Sequence, residues 1–206
     1  MNDNKGRQVL RESEWMTVYK LEGGVSLHES KFLVQGLVVN ARSIKARWQH
    51  FSQEEKYDFV RAYQAKAEVT PEDEEILYFL MDETDATIWI SIAPLLNRHR
   101  NRNRILAFLL EKVQQPISPK ANLYQALEAL KDKQALPVLR ENYARYNEYL
   151  KDHDGFAVKL DYLDYLQCCR TLLVLEGSKE FEEALKRFLS FRDESVRRWA
   201  EMMLKK

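Results

Sequence analysis

The residue types best suited to recognising a ligand lie in one short run in the middle of the chain. Between positions 97 and 104, four arginines and one histidine are interleaved with asparagines: Arg98, His99, Arg100, Arg102 and Arg104. Guanidinium and amide groups together suit phosphates, base edges and acidic side chains. The run also precedes a predicted helix, whose N-terminus attracts anions. The run therefore predicts a site for a phosphate, a nucleic acid or an acidic protein. The alternative is a solvated turn whose arginines pair with neighbouring helices.

An acidic stretch comes directly before this basic run. Residues 67–97 contain no Lys or Arg, and eight Asp and Glu residues lie between positions 68 and 85. Two arrangements follow from this order. The acidic 68–85 stretch and the basic 98–104 run neutralise each other across adjacent helices, or both face outward and steer a charged partner to the surface.

A second candidate surface combines tyrosine with arginine. The residues are Arg140, Tyr143, Arg145, Tyr146 and Tyr149, all within one predicted helix. Tyr and Arg anchor protein interfaces, and Tyr also stacks on unpaired bases. The alternative is that the tyrosines fill a gap between long helices and reach water with their hydroxyls. Because a spacing of three residues drifts off a single helix face, we expect part of the set to be exposed.

Residue types typical of catalysis and metal binding form no recognisable cluster. The four histidines, His28, His50, His99 and His153, are scattered without metal-ligand spacing. The chain has no Gly-rich phosphate loop, nucleophile elbow or zinc-protease motif. The adjacent Cys168 and Cys169 are predicted to be small buried side chains. We therefore favour a protein that is not an enzyme and expect no metal and no cofactor.

Composition indicates a folded chain with no net charge. The 206 residues are 45% hydrophobic and 11% aromatic, which suits one large domain or two small ones. The 32 basic residues balance 32 acidic ones, so a wholesale polyanion binder is excluded, although a local patch is not. Residues 1–7 are polar, and no window approaches 18 uncharged apolar residues. We expect a cytoplasmic protein that makes no membrane contact.

Apolar residues recur with the period of an α-helix along most of the chain. Phe181, Ala184, Leu185, Phe188 and Leu189, for example, form one stripe. The pattern predicts helices at roughly 27–41, 53–67, 71–81, 85–97, 101–114, 119–131, 134–150, 156–176, 179–190 and 194–204. Residues 1–22 are predicted to form a helical turn or an N-terminal strap. No low-complexity linker interrupts the chain, so we predict one continuous domain over 1–206.

Polar residues mark several of the predicted helix starts. Ser52 is followed by Glu three residues later, which is a capping box. Thr70 and Ser118 each precede a proline, which suits the first position of a helix. Ser178 follows Gly177 at the junction of two helices, and Asp193 precedes the last helix.

The segment 181–204 resembles a HEAT repeat. An apolar first helix is followed by a turn with Asp193, and then by Val196, Arg197 and Ala200 on a second helix. The stretch 135–159 is similar to a second repeat, so the clear likeness covers 135–204. The resemblance implies an all-α, right-handed α-α superhelix of the HEAT-like or armadillo type, with about nine or ten short helices. In such repeats the matching Asp and Arg are structural.

The resemblance also implies a class of function. HEAT-like proteins are mostly binding or adaptor proteins that engage a protein or peptide through a concave surface. We expect such a partner rather than a small molecule, because nothing in the sequence indicates a deep apolar pocket. The alternative is a nucleic-acid-binding protein related to HEAT-like DNA repair glycosylases, which would use the arginines of 98–104. A third class of HEAT-like relatives acts on prosthetic groups and remains open.

Overall fold

The computed structural model describes residues 7–13, 16–21, 41–64, 70–97, 100–152 and 159–205. The predicted helix at 27–41 lies outside these ranges, apart from its last residue. Backbone contacts divide the chain into two compact units, 1–92 and 93–206, where the sequence pattern predicted one continuous domain.

The described residues are predominantly helical, which confirms the all-α class. Their ten α-helices are α1 (Ala41–Arg47), α2 (Gln53–Gln64), α3 (Pro71–Met81), α4 (Ala86–Leu96), α5 (Arg102–Gln114), α6 (Ala121–Leu130), α7 (Leu136–Asp152), α8 (Lys159–Glu176), α9 (Lys179–Lys186) and α10 (Glu194–Leu204). Short 3-10 turns lie at Trp48–His50, Lys133–Ala135 and Arg187–Ser190. The predicted bounds of α3 and α10 agree residue for residue, because both helices have clear capping signals. The superhelical arrangement stays a prediction.

Residues 7–13 and 16–21 form strands, so the predicted helical turn is wrong, whereas the N-terminal strap stays a prediction. Strand β1 (Arg7–Ser13) pairs antiparallel with β2 (Met16–Leu21), from Arg7 opposite Leu21 to Ser13 opposite Met16. The register is irregular between Val9 and Arg11. The β2 sequence contains Thr, Val and Tyr, whose shapes favour a pleated strand over a helix.

Most of the predicted caps are confirmed. The Thr70 hydroxyl accepts from the Asp73 backbone N–H at 3.3 Å, and the Asp73 carboxylate accepts from the Thr70 N–H at 2.7 Å. Ser52 and Glu55 make the same reciprocal pair. Asp193 accepts from two backbone N–H groups at the start of α10. These caps satisfy N–H groups that the first helical turn leaves without partners.

The predicted cap at Ser118 is wrong. Helix α6 begins at Ala121, and Lys120, at the N-cap position, makes no side-chain capping bond. The Ser118 hydroxyl instead donates to Asp164 of α8 at 3.0 Å. The same carboxylate accepts from the backbone N–H groups of Lys120 at 2.6 Å and Ala121 at 2.8 Å. A residue more than 40 positions away therefore caps this helix.

Gly177, between α8 and α9, has a positive φ of 75°. Its N–H donates to the Leu173 carbonyl at 2.8 Å and closes α8, while Ser178 caps α9. A Cβ added at Gly177 would meet nothing within 4 Å, so only the backbone conformation disfavours a side chain there.

We expect Gly177→Ala to lower the free energy of unfolding by about 1 kcal/mol, because an L-residue with a side chain is strained in the left-handed region. Lys131 follows α6 with φ of 53°, so it offers a matched opposite change. Lys131→Gly should leave stability unchanged or raise it. Urea unfolding followed by circular dichroism measures both variants, and equal effects of the same sign would contradict the strain argument.

The first unit has an aromatic core around Trp48. The Trp48 ring packs edge-on against Phe51, Phe59 and Phe79, with centroids 5.7–5.8 Å apart. The indole N–H donates to the Glu83 carboxylate at 2.6 Å. Since Trp48 and Trp89 are both buried, neither can stack on a ligand.

The second unit is organised around α8. This helix packs against α6, α7, α9 and α10, and α5 packs against α6 and α7. Buried side chains from α8, α9 and α10 form one core, among them Tyr162, Tyr165, Leu166, Leu185 and Val196. No helix among the described ranges is long and apolar enough to cross a membrane.

Candidate functional site

The basic run is described in part. Arg98 and His99 lie outside the described residues, whereas Arg100, Arg102 and Arg104 are exposed at the start of α5. Asn101 caps this helix by accepting from the Arg104 backbone N–H at 3.2 Å. The Arg102 guanidinium donates to the Leu130 carbonyl at the end of α6. The run is therefore a helix start with one structural arginine and an exposed basic surface.

The tyrosines of α7 divide into packed and exposed members, as their spacing predicts. Tyr143 and Tyr146 are half-buried, whereas Tyr149 is 37% exposed. The Tyr143 ring stacks on Tyr165 with centroids 5.7 Å apart and meets Phe181 edge-on at 5.1 Å. The packing interpretation is therefore confirmed for Tyr143, whereas a role of the set in recognition stays a prediction.

The remaining tyrosine hydroxyls of α7 reach carboxylates on α8. Tyr146 donates to Asp164 at 3.5 Å, which is a long hydrogen bond, and Tyr149 donates to Asp161 at 3.3 Å. These bonds tie α7 to α8 along one side, so Tyr146 serves packing more than recognition.

The two arginines of α7 already have partners. Arg140 forms a bidentate pair with Glu176, with Nε 3.1 Å from one carboxylate oxygen, and its guanidinium lies 5.8 Å from the Phe181 ring centroid. Arg145 donates to Asn142 at 2.8 Å and lies 3.4 Å from Glu141. Both guanidinium groups therefore have carboxylate partners, although both side chains are 52% exposed.

An open groove of about 660 Å³ runs along the outer side of α7. We call it the α7 groove. It is lined by Arg140, Tyr143, Ala144, Asn147, Glu148, Lys151 and, from α9, Glu180. The α7 members recur at helical spacing, so a single stripe of this helix forms one wall. Of the predicted site residues, the groove brings together Arg140 and Tyr143, whereas Arg145, Tyr146 and Tyr149 lie outside its lining.

The α7 groove has mixed charge and a small residue at its centre. Ala144 is exposed, with the ring of Tyr143 beside it in sequence. Among the described residues, Glu148, Lys151 and Glu180 make no ion pair. The lining of the groove therefore places apolar atoms beside charged groups that are open to solvent.

A second pocket of about 390 Å³ lies beside α6 and α8. Its charged lining residues are Glu128, Lys131 and Arg170. Arg170 binds Glu128 at 3.3 Å and the Met203 carbonyl at 3.1 Å, so it links α6, α8 and α10. Gln167 completes the set by donating to Glu128 at 3.1 Å. Glu128, Gln167 and Arg170 thus join these helices, and Lys131 is the charged lining residue that makes no ion pair among the described residues.

Sequence reasoning missed the buried polar cluster around Asp164. The Asp164 side chain has no exposed surface, and it accepts bonds from Ser118, Lys120, Ala121 and Tyr146. The buried Lys120 ammonium donates to the Val113 carbonyl at 2.9 Å. The available signal was a carboxylate flanked by apolar residues within α8, since Asp164 lies between Leu163 and Tyr165.

Burial shifts the titration of this cluster. It raises the pKa of Asp164 to about 6, although hydrogen bonds from Lys120, Ser118 and Ala121 favour the charged form. Burial also lowers the pKa of Lys120 against the attraction of Asp164. Such shifts occur at catalytic sites, but none of these residues lines either pocket described above. We therefore assign the Asp164 cluster to folding.

The cysteines behave as the sequence predicted for small buried side chains. Both are fully buried, and the Cys168 thiol donates to the Leu139 carbonyl at 3.5 Å. Burial raises the pKa of Cys168 and raises that of Cys169 to about 12, so both thiols stay protonated near neutral pH. Over the part of the chain that the structure describes, no group of three or more His, Cys, Asp or Glu side chains is placed to hold a metal ion.

Comparison of the chain with protein-family models, with curated proteins and with solved structures gives no match. The HEAT-like resemblance therefore stays a prediction, and the function has to be argued from the surfaces themselves.

Proposed function

We propose that this chain is a non-catalytic, HEAT-like binding or adaptor protein that engages a protein or peptide partner through the α7 groove. The observation that carries the proposal is the groove itself. Its lining combines Ala144 and Tyr143 with charged side chains, of which Glu148, Lys151 and Glu180 make no ion pair among the described residues. Aromatic and small apolar atoms inside a charged rim are what a peptide-binding surface needs.

The packing of the second unit supports a repeat architecture. Helix α8 contacts α6 before it and α10 after it, as well as its sequence neighbours α7 and α9. When antiparallel helix pairs stack, each helix is expected to contact the helices two positions before and after it in the chain. In such a stack one helix of each pair presents a continuous surface, and α7 presents the groove.

The position of the titratable groups also favours binding over catalysis. Asp164, Lys120 and Cys168 have shifted pKa values, but all three are buried in helix contacts. An enzyme needs such groups where a substrate can reach them. The α7 groove instead contains exposed charged side chains and a tyrosine.

We expect a partner to contact α7 at Ala144, so a photo-cross-linking residue placed there should capture it. The matched control is the same residue at Ala107, another exposed alanine on a helix of the second unit. A blocking pair completes the design. Ala144→Arg fills the groove and should weaken binding of the captured partner at least tenfold, about 1.4 kcal/mol, whereas Ala107→Arg should not. Both substitutions keep good helix formers on exposed faces.

The same two measurements can refute the proposal. Capture of one protein equally from positions 144 and 107 would show that α7 has no special role. Unchanged affinity of Ala144→Arg for a purified partner, measured by isothermal titration calorimetry, would place the interface elsewhere.

The nucleic-acid alternative depends on the exposed arginines at the start of α5. Its test is a titration of fluorescently labelled duplex DNA at low and moderate salt. The variant Arg100→Glu with Arg104→Glu leaves the structural bond from Arg102 to Leu130 in place. Micromolar binding that weakens steeply with salt, and that this variant loses, would favour the alternative over the α7 groove.

A further inference from the structure

The partner of the α7 groove can be described more closely by charge. Building on the proposed function, we infer that the groove takes a basic peptide segment. In this segment one cationic side chain lies on each side of an apolar one. The inference rests on which charges of the groove are already neutralised, on where the remaining ones lie, and on the length of the groove.

Arg140 contributes little attraction to a ligand. Its guanidinium pairs with both carboxylate oxygens of Glu176, and Glu180 adds a further negative charge nearby. A bidentate pair uses two of the five N–H donors of a guanidinium and sets a carboxylate charge directly against its own. The charge of Arg140 is therefore balanced before any partner arrives.

The charged side chains of the groove that make no ion pair are mostly negative. Glu148 and Glu180 make no ion pair among the described residues, and neither does Lys151. Two open carboxylates against one open ammonium leave the groove with a net negative charge. A cationic segment complements this charge, whereas an acidic one meets like-charge repulsion.

The arrangement of these groups sets the pattern of the segment. Glu180 lies near Arg140 at one end of the stripe, since its charge acts on that guanidinium. Glu148 lies two helical turns along α7, and Lys151 is nearly one turn further. Ala144 lies between the two carboxylates in this order. An apolar side chain over Ala144 therefore places cationic groups on both sides, and Lys151 disfavours a third.

The length of the groove limits the size of the segment. From Arg140 to Lys151 the helix rises about 16 Å, at about 1.5 Å per residue. An extended chain of about five residues covers the same distance, at about 3.3 Å per residue. Arginine suits the cationic positions better than lysine, because its planar group can bind a carboxylate through two bonds.

The test is a titration of the isotope-labelled full chain with synthetic pentapeptides, followed by NMR. The probes are Arg-Ala-Leu-Ala-Arg, its glutamine counterpart and its glutamate counterpart, all with blocked ends. We expect the arginine peptide to shift the amide signals of Ala144, Asn147 and Glu148, and to bind at least tenfold more tightly than the other two. The double variant Glu148→Lys with Glu180→Lys should reverse this order, whereas Glu201→Lys on α10 should not.

The outcomes of this titration distinguish a failure of the inference from a failure of the proposed function. Tighter or equal binding of the glutamate or glutamine peptide at these amides would overturn the inference but leave the groove as a binding surface. The absence of any shift with all three peptides would also overturn it, and the capture experiment at Ala144 would then decide the proposed function by itself. Loss of arginine-peptide binding in Glu201→Lys would show that overall charge, and not the groove, attracts the peptide.

Discussion

Replacement of Asp164 by alanine is expected to lower the free energy of unfolding by about 3–5 kcal/mol. The change removes the acceptor of four donors: the Ser118 and Tyr146 hydroxyls and the backbone N–H groups of Lys120 and Ala121. It also removes the opposite charge that most favours the charged form of the buried Lys120. Leaving these donors buried without an acceptor lowers the free energy of unfolding by more than the original hydrogen bonds contributed to it.

Urea unfolding by circular dichroism measures this loss, and hydrogen exchange localises it. The first amides of α6 should exchange faster in Asp164→Ala than in the wild type. Asp161→Ala is the matched control, because Asp161 lies one turn earlier on α8, is half-buried and accepts only a long bond from Tyr149. That control should lose less than about 1 kcal/mol. A loss below 1 kcal/mol in Asp164→Ala would show that Asp164 does not hold the start of α6.

The second large effect is a dependence of stability on pH. Burial raises the pKa of Asp164 from 3.8 to about 6. Between about pH 4 and pH 6 the folded chain therefore binds this proton more tightly than the unfolded chain does. The contribution of Asp164 to the free energy of unfolding consequently falls as pH rises through this window, by about 3 kcal/mol in total, since one pKa unit corresponds to about 1.4 kcal/mol.

Comparison with Asp164→Asn isolates this contribution. Asparagine keeps the shape and an acceptor oxygen but does not titrate in this range. Unfolding free energies of both proteins at pH 4, 5, 6 and 7 give a difference curve, in which the other carboxylates largely cancel. We expect wild type to lose stability relative to the variant as pH rises. A flat curve, or one of opposite slope, would mean that the hydrogen bonds to Asp164 outweigh its burial.

These two predictions are compatible, although the first concerns removal of the Asp164 carboxylate and the second concerns only its charge. The ionised carboxylate is costly to bury, which the pH dependence reports. Once the surrounding donors are fixed, however, deletion of the acceptor costs more than its burial does. Lys120, Ser118 and Tyr146 are the groups that decide this balance, because they face Asp164 from the segment before α6 and from α7.

Local signals were sufficient to predict most of the helices and many of their ends. Apolar periodicity and capping residues act within four positions of each other, so they can be read without knowing the fold. The bounds of α3 and α10 follow from Thr70 and Asp193 in this way. The strand pair β1 and β2 was missed because three apolar residues at 15, 18 and 19 fit the sequence pattern of a helical turn as closely as that of a strand.

The candidate site could be predicted only in part. The composition of the 140–149 surface was sufficient to select Arg140 and Tyr143, which line the α7 groove. The sequence could not show that Arg140 is neutralised by Glu176, or that Glu148, Lys151 and Glu180 are the open charges. Those facts depend on which helix lies beside α7, and residues 36 positions apart carry no local signal of their pairing.

The sequence by itself therefore determined the helical class and the helix starts at Thr70, Ser178 and Asp193, because each depends on near neighbours along the chain. Only the tertiary structure decided that Asp164 caps α6, which tyrosines of α7 are packed, and where the groove lies. The physical reason is that a buried polar group must find its partner in space, and the partner nearest in space need not be near in sequence.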